Sequence, residues 1–170
     1  MKESTTYDNY PIGIVLISNL TIFSIYILGA LILSGYGILI VALYILYCFW
    51  LEIRLLRKSC VNCYYYGKLC FSGKGQLCSL IFKKGDPKRF TCAKIIWIQI
   101  LPDFLVSLFP ILGGVILSII DFSLLRIDLM ILLVILGFPV TGYIRGNLAC
   151  RYCKQREIGC PAVELFSKNK

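Results

Sequence analysis

The sequence has no histidine in 170 residues, and only 9 Asp+Glu stand against 18 Lys+Arg. Without imidazole there is no Ser-His-Asp triad, no Cys-His protease, no His-ligated haem and no Cys₂His₂ zinc finger. Charge of either sign is scarce, at 16% of residues, where soluble proteins carry about 25%. With 58% hydrophobic residues the chain is not disordered. The net charge of +9 does not by itself point to nucleic acid, because such binders gather their charge on one soluble face. No nucleophile–base pair can be named either, so no enzymatic role is expected.

The longest absence is local. Asn9 to Leu51 contains no charged residue. About 20 apolar residues cross the ~30 Å hydrocarbon core as a helix, so this stretch holds two crossings. Gly35-Tyr36-Gly37 supplies the turn, since glycine reaches backbone angles that a helix forbids. The first eleven residues are polar and not basic, and the apolar run after them is too long for the core of a secretion signal. A span is expected there rather than a leader.

Residues 54–94 form a basic loop. Ile95–Ile120 is apolar but for Asp103, Asp121–Asp128 is a short polar link, Leu129–Ile144 is uncharged, and a basic tail follows. The expected fold is therefore an all-α integral membrane domain over residues 1–170. Its four transmembrane helices are placed near 12–33, 38–53, 95–120 and 129–148, with a cysteine-rich loop at 54–94 and a cysteine-rich tail at 149–170. Four spans put both termini and the loop on one side, and of the basic residues only Arg126 lies opposite. The positive-inside rule then places the N- and C-termini in the cytoplasm and the protein in the cytoplasmic membrane. Anionic headgroups become natural partners for the basic side, and nucleic acid is not needed to explain the charge.

The third span allows two arrangements. In the favoured one, an interfacial helix runs from about Phe90 to Leu101, with Lys94, Trp97 and Gln99 at headgroup level, and the crossing starts at Pro102. In the other, one kinked helix buries Asp103, a candidate ion or proton site, at about 2.5–3.5 kcal/mol on insertion scales. Asn19, Thr21 and Ser24 are expected to bond to neighbouring helices. Gly113, Gly114, Gly137, Pro139 and Gly142 permit close helix contact or a kink.

Cysteine is abundant, with 9 residues. Cys48 falls inside the second span and reads as packing. The others recur in pattern: Cys60-Val-Asn-Cys63 with Cys70, and Cys150-Arg-Tyr-Cys153 with Cys160, both C-x₂-C-x₆-C. Each copy follows an even-numbered span, so the chain reads as two pseudo-repeated helical hairpins, each ending in a cysteine motif. Coincidence is the alternative. Cytosolic thiols stay reduced, and clustered reduced thiols suggest metal ligation.

Zinc takes four ligands in a closed structural site. Cys60, Cys63, Cys70 and Cys78 make one expected set, and Cys92, Cys150, Cys153 and Cys160 the other. Neighbouring Lys and Arg are expected to lower the thiol pKa values. An iron–sulfur cluster is the rival, encouraged by Cys160-Pro161 but not by the six-residue gap. Free or acylated thiols at Cys60, Cys92 and Cys150 are a third possibility.

The segment from Gly67 to Gly75 fails as a phosphate loop on its spacing. Tyr64-Tyr65-Tyr66 is expected to anchor at the interface. The function expected is an accessory or scaffold subunit with a cysteine-rich, zinc-binding module, docking a membrane or cytoplasmic protein or a second copy. An iron–sulfur or thiol redox protein and a small soft-metal-ion transporter are the alternatives.

Overall fold

The computed structural model describes residues 6–87, 90 and 97–160. The described chain is helical. Helix α1 is Ile12–Leu33, α2 is Ile38–Lys58, α3 is Lys74–Ile81, α4 is Trp97–Ile120, α5 is Leu124–Tyr152 and α6 is Gln155–Ile158. The four long ones are long and apolar enough to cross a membrane. Among the described residues the sole extended pairing is an isolated bridge from Tyr7 to Cys153.

The α1–α2 turn falls where the glycines allow it, with Gly37 at φ 100° and its N–H on the Ser34 carbonyl at 3.0 Å. Helix α2 runs beyond the expected Ile53 to Lys58, so Arg57 and Lys58 occupy its last turn, where cations offset the helix dipole. Helix α5 starts at Leu124 rather than Leu129, because Ser123 is the N-cap. Arg126 and Asp128 are thus helical, and the expected polar link shrinks to Asp121–Ser123. Arg126 folds back to donate to the Asp121 carbonyl at 2.7 Å.

The apolar core lies where α1, α2, α4 and α5 meet, at Ile25, Leu28, Ile32, Leu51, Val106 and Leu133. Helix α1 packs along α4 over its length, and α5 packs on both. Gly114 permits this approach: a Cβ there would press on Ile32 and Met130.

Prolines shape the last two spans. Pro102 does not break α4, which is continuous from Trp97 through Pro102 and Pro110. The expected break between an interfacial helix and the crossing is thus not seen from Trp97 on, and the apolar span itself is Ile100–Ile120, while Lys94 and residues 91–96 lie outside the described residues. A proline inside a helix leaves the carbonyl four residues earlier without its donor. For Pro110 that carbonyl is Val106, and the Tyr44 hydroxyl of α2 donates to it at 3.0 Å. Tyr47 donates to Pro102 at 2.8 Å and Tyr36 to Gly113 at 3.0 Å. A row of tyrosines from the first hairpin thereby holds α4. In α5, Pro139 is absorbed by a π-helical stretch at Leu136–Val140, the usual way a helix takes in a disruption. Thr141 Oγ1 closes that stretch on the Leu136 carbonyl at 2.7 Å.

Candidate cysteine-rich cap

Three segments far apart in sequence meet at one end of the bundle. Residues 7–10 form a strap, residues 59–82 a folded loop, and residues 149–159 the last turn of α5 and the segment after it. The strap is tied to both others. Tyr7 N–H donates to the Tyr152 carbonyl at 3.0 Å and Tyr10 N–H to that of Leu69 at 2.9 Å. The Tyr10 hydroxyl reaches the Ala149 carbonyl at 2.7 Å, and Tyr65 donates to the Tyr7 carbonyl at 2.6 Å. Tyr10, Tyr65 and Cys70 are the buried centre.

The two C-x₂-C segments have the same local backbone. Each leaves its long helix through a residue at φ near −100°, Ser59 (−108°) and Ala149 (−100°). A 3₁₀ turn follows at Cys60–Asn62 and Cys150–Tyr152, and then an extended cysteine, Cys63 at φ −83° and Cys153 at φ −80°. Cys63 N–H bonds the Cys60 carbonyl at 3.3 Å, and Cys153 N–H the Cys150 carbonyl at 3.4 Å. The Tyr66 and Arg156 amides then close on the carbonyls of Cys63 and Cys153 at 3.1 and 3.0 Å.

The third cysteine of the loop is wrapped by its own chain. Gly73, at φ 70°, reverses the direction, and Gly75 N–H donates to Cys70 Sγ at 3.3 Å. A Cβ on Gly75 would run into the Tyr65 and Lys68 carbonyls, so only glycine brings this amide to the sulfur. Cys78 is 0% exposed, its thiol on the Leu56 carbonyl at 3.6 Å. The amides of Gly67, Lys68, Leu69, Gly73 and Gly75 are committed within the cap, and Lys74 pairs with Glu52 at 2.5 Å. This is no phosphate cradle.

Cysteines of each segment lie near one another. Cys60 has Cys63, Cys70 and Cys78 as charge neighbours, and Cys150 has Cys153 and Cys160. The groups adjoin, because Cys63 also neighbours Cys153 and Cys160. Cys92 lies outside the described residues. As the side chains stand, no three metal-binding groups among the described residues converge tightly enough to hold an ion. All eight described cysteines, Cys48 included, are free thiols.

The expected lowering of thiol pKa by Lys and Arg is overturned where the cap is packed. Burial pushes the Cys63 thiol up to about 11, and Cys78 and Cys153 rise for the same reason. Desolvation of the thiolate outweighs the basic residues nearby.

Several cap residues carry no signal that single-sequence reading detects. Gln155, 4% exposed, accepts the Tyr64 N–H at 2.7 Å and donates to Gly159 at 3.0 Å, joining the two motifs. The tyrosine triplet is tied into the cap: Tyr65 is buried, Tyr64 donates to Asp8 at 2.7 Å, and Tyr66 donates to Phe82 at 2.7 Å. Asn19 donates not to another long helix but to Ser72 of the cap at 3.2 Å. Thr21 satisfies its own helix at Ile17.

Beneath the cap lies a polar cluster. Tyr26 donates to Glu52 at 2.7 Å, Glu52 pairs with Lys74, and Asp103 has Arg54, Arg145, Lys74 and Glu52 as charge neighbours. No protein-family model, curated protein or solved structure matches this chain.

Proposed function

We propose that this is a multi-pass protein of the cytoplasmic membrane whose cap faces the cytoplasm and binds a soft metal ion, zinc first, through thiolates. It serves as an accessory or scaffold subunit that presents this module to a protein partner. The carrying observation is the pair of alike C-x₂-C turns, beside the Gly75 amide that donates to the Cys70 sulfur. Amide hydrogen bonds to sulfur are the outer-shell contacts that tune and orient thiolate ligands. Cys60, Cys63, Cys70 and Cys78 would hold one ion. Cys150, Cys153 and Cys160 would hold a second with Cys92. Bound there, the ion supplies a closed structural cross-link. Repetition of the turn after α2 and α5, with α1 and α4 as the paired inner helices, also supports a two-hairpin origin.

The test is elemental analysis of anaerobically purified full-length protein, with cysteines changed to serine one motif at a time. Stoichiometric zinc that falls with either motif supports the proposal. A colourless, metal-free preparation with all eight cap cysteines titratable overturns it. Iron with visible absorbance replaces zinc by a cluster.

One observation favours a second reading, a soft-metal transporter. Lys74 is a charge neighbour of both Cys60 and Asp103, so one lysine acts electrostatically on a cap thiol and on that carboxylate. Metal uptake into proteoliposomes that is lost in Asp103→Asn is its signature, and its absence in the parent protein removes the reading.

A further inference from the structure

Helix α3 has an apolar face that the cap does not use. At about 100° per residue, its eight positions sort into three sectors. Gly75 and Cys78 are buried against the cap. Gln76 and Ser79 form a polar exposed sector. Leu77, Leu80 and Ile81, at i, i+3 and i+4, form an apolar exposed sector, with Leu80 83% exposed. The chain then continues into exposed Lys83 and Lys84. A helix with one apolar stripe and adjoining lysines is the pattern of a segment lying in the membrane interface.

Depth supports the same assignment. The cap is recessed into the end of the bundle rather than standing off it. Ser72 meets Asn19, seven residues into α1, roughly 10 Å along the helix. Lys74, 12% exposed, pairs with Glu52 two turns before the end of α2. Glu52 is flanked by Trp50, stacked on Tyr47 at 5.8 Å, and by Arg54, 5.7 Å above the Trp50 ring. Tryptophan beside a cation marks headgroup level. Helix α3 therefore starts at that level, and α2, which it contacts, also exposes apolar side chains near this end, at Ile53 and Leu55.

We propose that α3 is an in-plane docking helix: Leu77, Leu80 and Ile81 seat in the acyl–headgroup boundary, and Lys83 and Lys84 engage anionic phospholipid headgroups. The occupant is the bilayer leaflet on the basic side. The proposal rests on the long helices spanning a membrane, but not on metal in the cap. Docking fixes the cap against the bilayer and leaves its opposite side free for a partner.

The experiment places single tryptophans in the full-length Trp50→Phe/Trp97→Phe protein in lipid nanodiscs and compares quenching by shallow-brominated phospholipid with quenching by aqueous acrylamide. Leu80→Trp is expected to lose most of its emission to brominated lipid and little to acrylamide. Ser79→Trp is expected to do the reverse, and Ile81→Trp to repeat the Leu80 result should that variant fold poorly. Replacing anionic by zwitterionic lipid, or Lys83→Gln/Lys84→Gln, is expected to reduce the Leu80→Trp quenching by lipid. An unchanged value removes the headgroup half of the proposal. Quenching of Leu80→Trp by acrylamide alone overturns docking, and shielding from both quenchers gives the stripe to a protein contact instead. Leu43→Trp on α2 separates the premises: if deep-brominated lipid does not quench it, the spanning reading itself fails.

Discussion

The Tyr44 hydroxyl of α2 donates to the Val106 carbonyl of α4 at 3.0 Å, the carbonyl that Pro110 deprives of its helical partner. Gly29 on α1 makes room for that ring, because a Cβ there would collide with the phenol. Tyr44→Phe leaves a buried carbonyl unpaired, at about 1–3 kcal/mol. In a Pro110→Ala background, where the backbone supplies the donor, the same change is expected to cost less. A double-mutant cycle by chemical unfolding in detergent checks this. Equal cost in both backgrounds would sink the account. Gly29→Ala is expected to match or exceed Tyr44→Phe, since it displaces the ring as well as the bond.

Gln155 is the clasp between the motifs, through the Tyr64 amide and the Gly159 carbonyl. Gln155→Ala should cost about 1–3 kcal/mol locally, by exposing buried polar partners. Hydrogen exchange at the Tyr64 amide is the readout, with faster exchange there and unchanged exchange in the α1–α4 core. Slowed or unaltered exchange at Tyr64 would show that the clasp is immaterial.

Strap docking has a pH window. The Lys154 hydrogen bond, then that of Tyr64, holds Asp8 below its ordinary range, while Asp8 in turn holds Lys154 above its own. The carboxylate contribution is present above the unfolded Asp pKa of about 3.9 and fades as pH falls through the lower folded value. The ammonium contribution is full below about 10.4 and fades as pH rises through the higher folded value. Exchange of the Tyr7 amide should therefore show extra opening at both extremes beyond intrinsic exchange. Asp8→Asn is expected to abolish the acid limb. The pair is solvent-exposed, so high salt should weaken both limbs.

Thiol reactivity should follow burial rather than sequence charge. Cys150 is exposed, whereas Cys70 and Cys78 are buried. In metal-free protein Cys150 should alkylate first and Cys78 last. Cys63, pushed up to about 11, should react roughly a hundredfold more slowly near neutral pH than an ordinary thiol of pKa about 8.5. Mass spectrometry of the modified peptides gives the order, and early labelling of Cys78 would contradict the packing described.

Much of the fold is legible in residue order because membrane insertion depends on local composition. An uncharged run as long as Asn9–Leu51 must be two helices, whatever they pack against. The glycines at its middle mark the turn, and cysteines at fixed offsets from α2 and α5 mark the two turns of the cap. Helix ends are harder to place. Arg54, Arg57 and Lys58 read as loop by charge, yet they extend α2, since long basic side chains reach water from a helical backbone.

Residue order could not say how α4 would run on through Pro110, because that depends on a donor for the Val106 carbonyl. Tyr44 comes from α2 to supply it. Nor could it pair Gln155 with Tyr64, or Tyr10 with Ala149, contacts that cross the chain and exist only after the spans have assembled. The charge pattern anticipated activated thiols, and folding produced sheltered ones, because a buried sulfur responds to the water it has lost more than to the lysines nearby. Topology thus followed from short-range chemistry along the chain. The cap, its thiol environments and the unpartnered stripe of α3 arose from long-range packing.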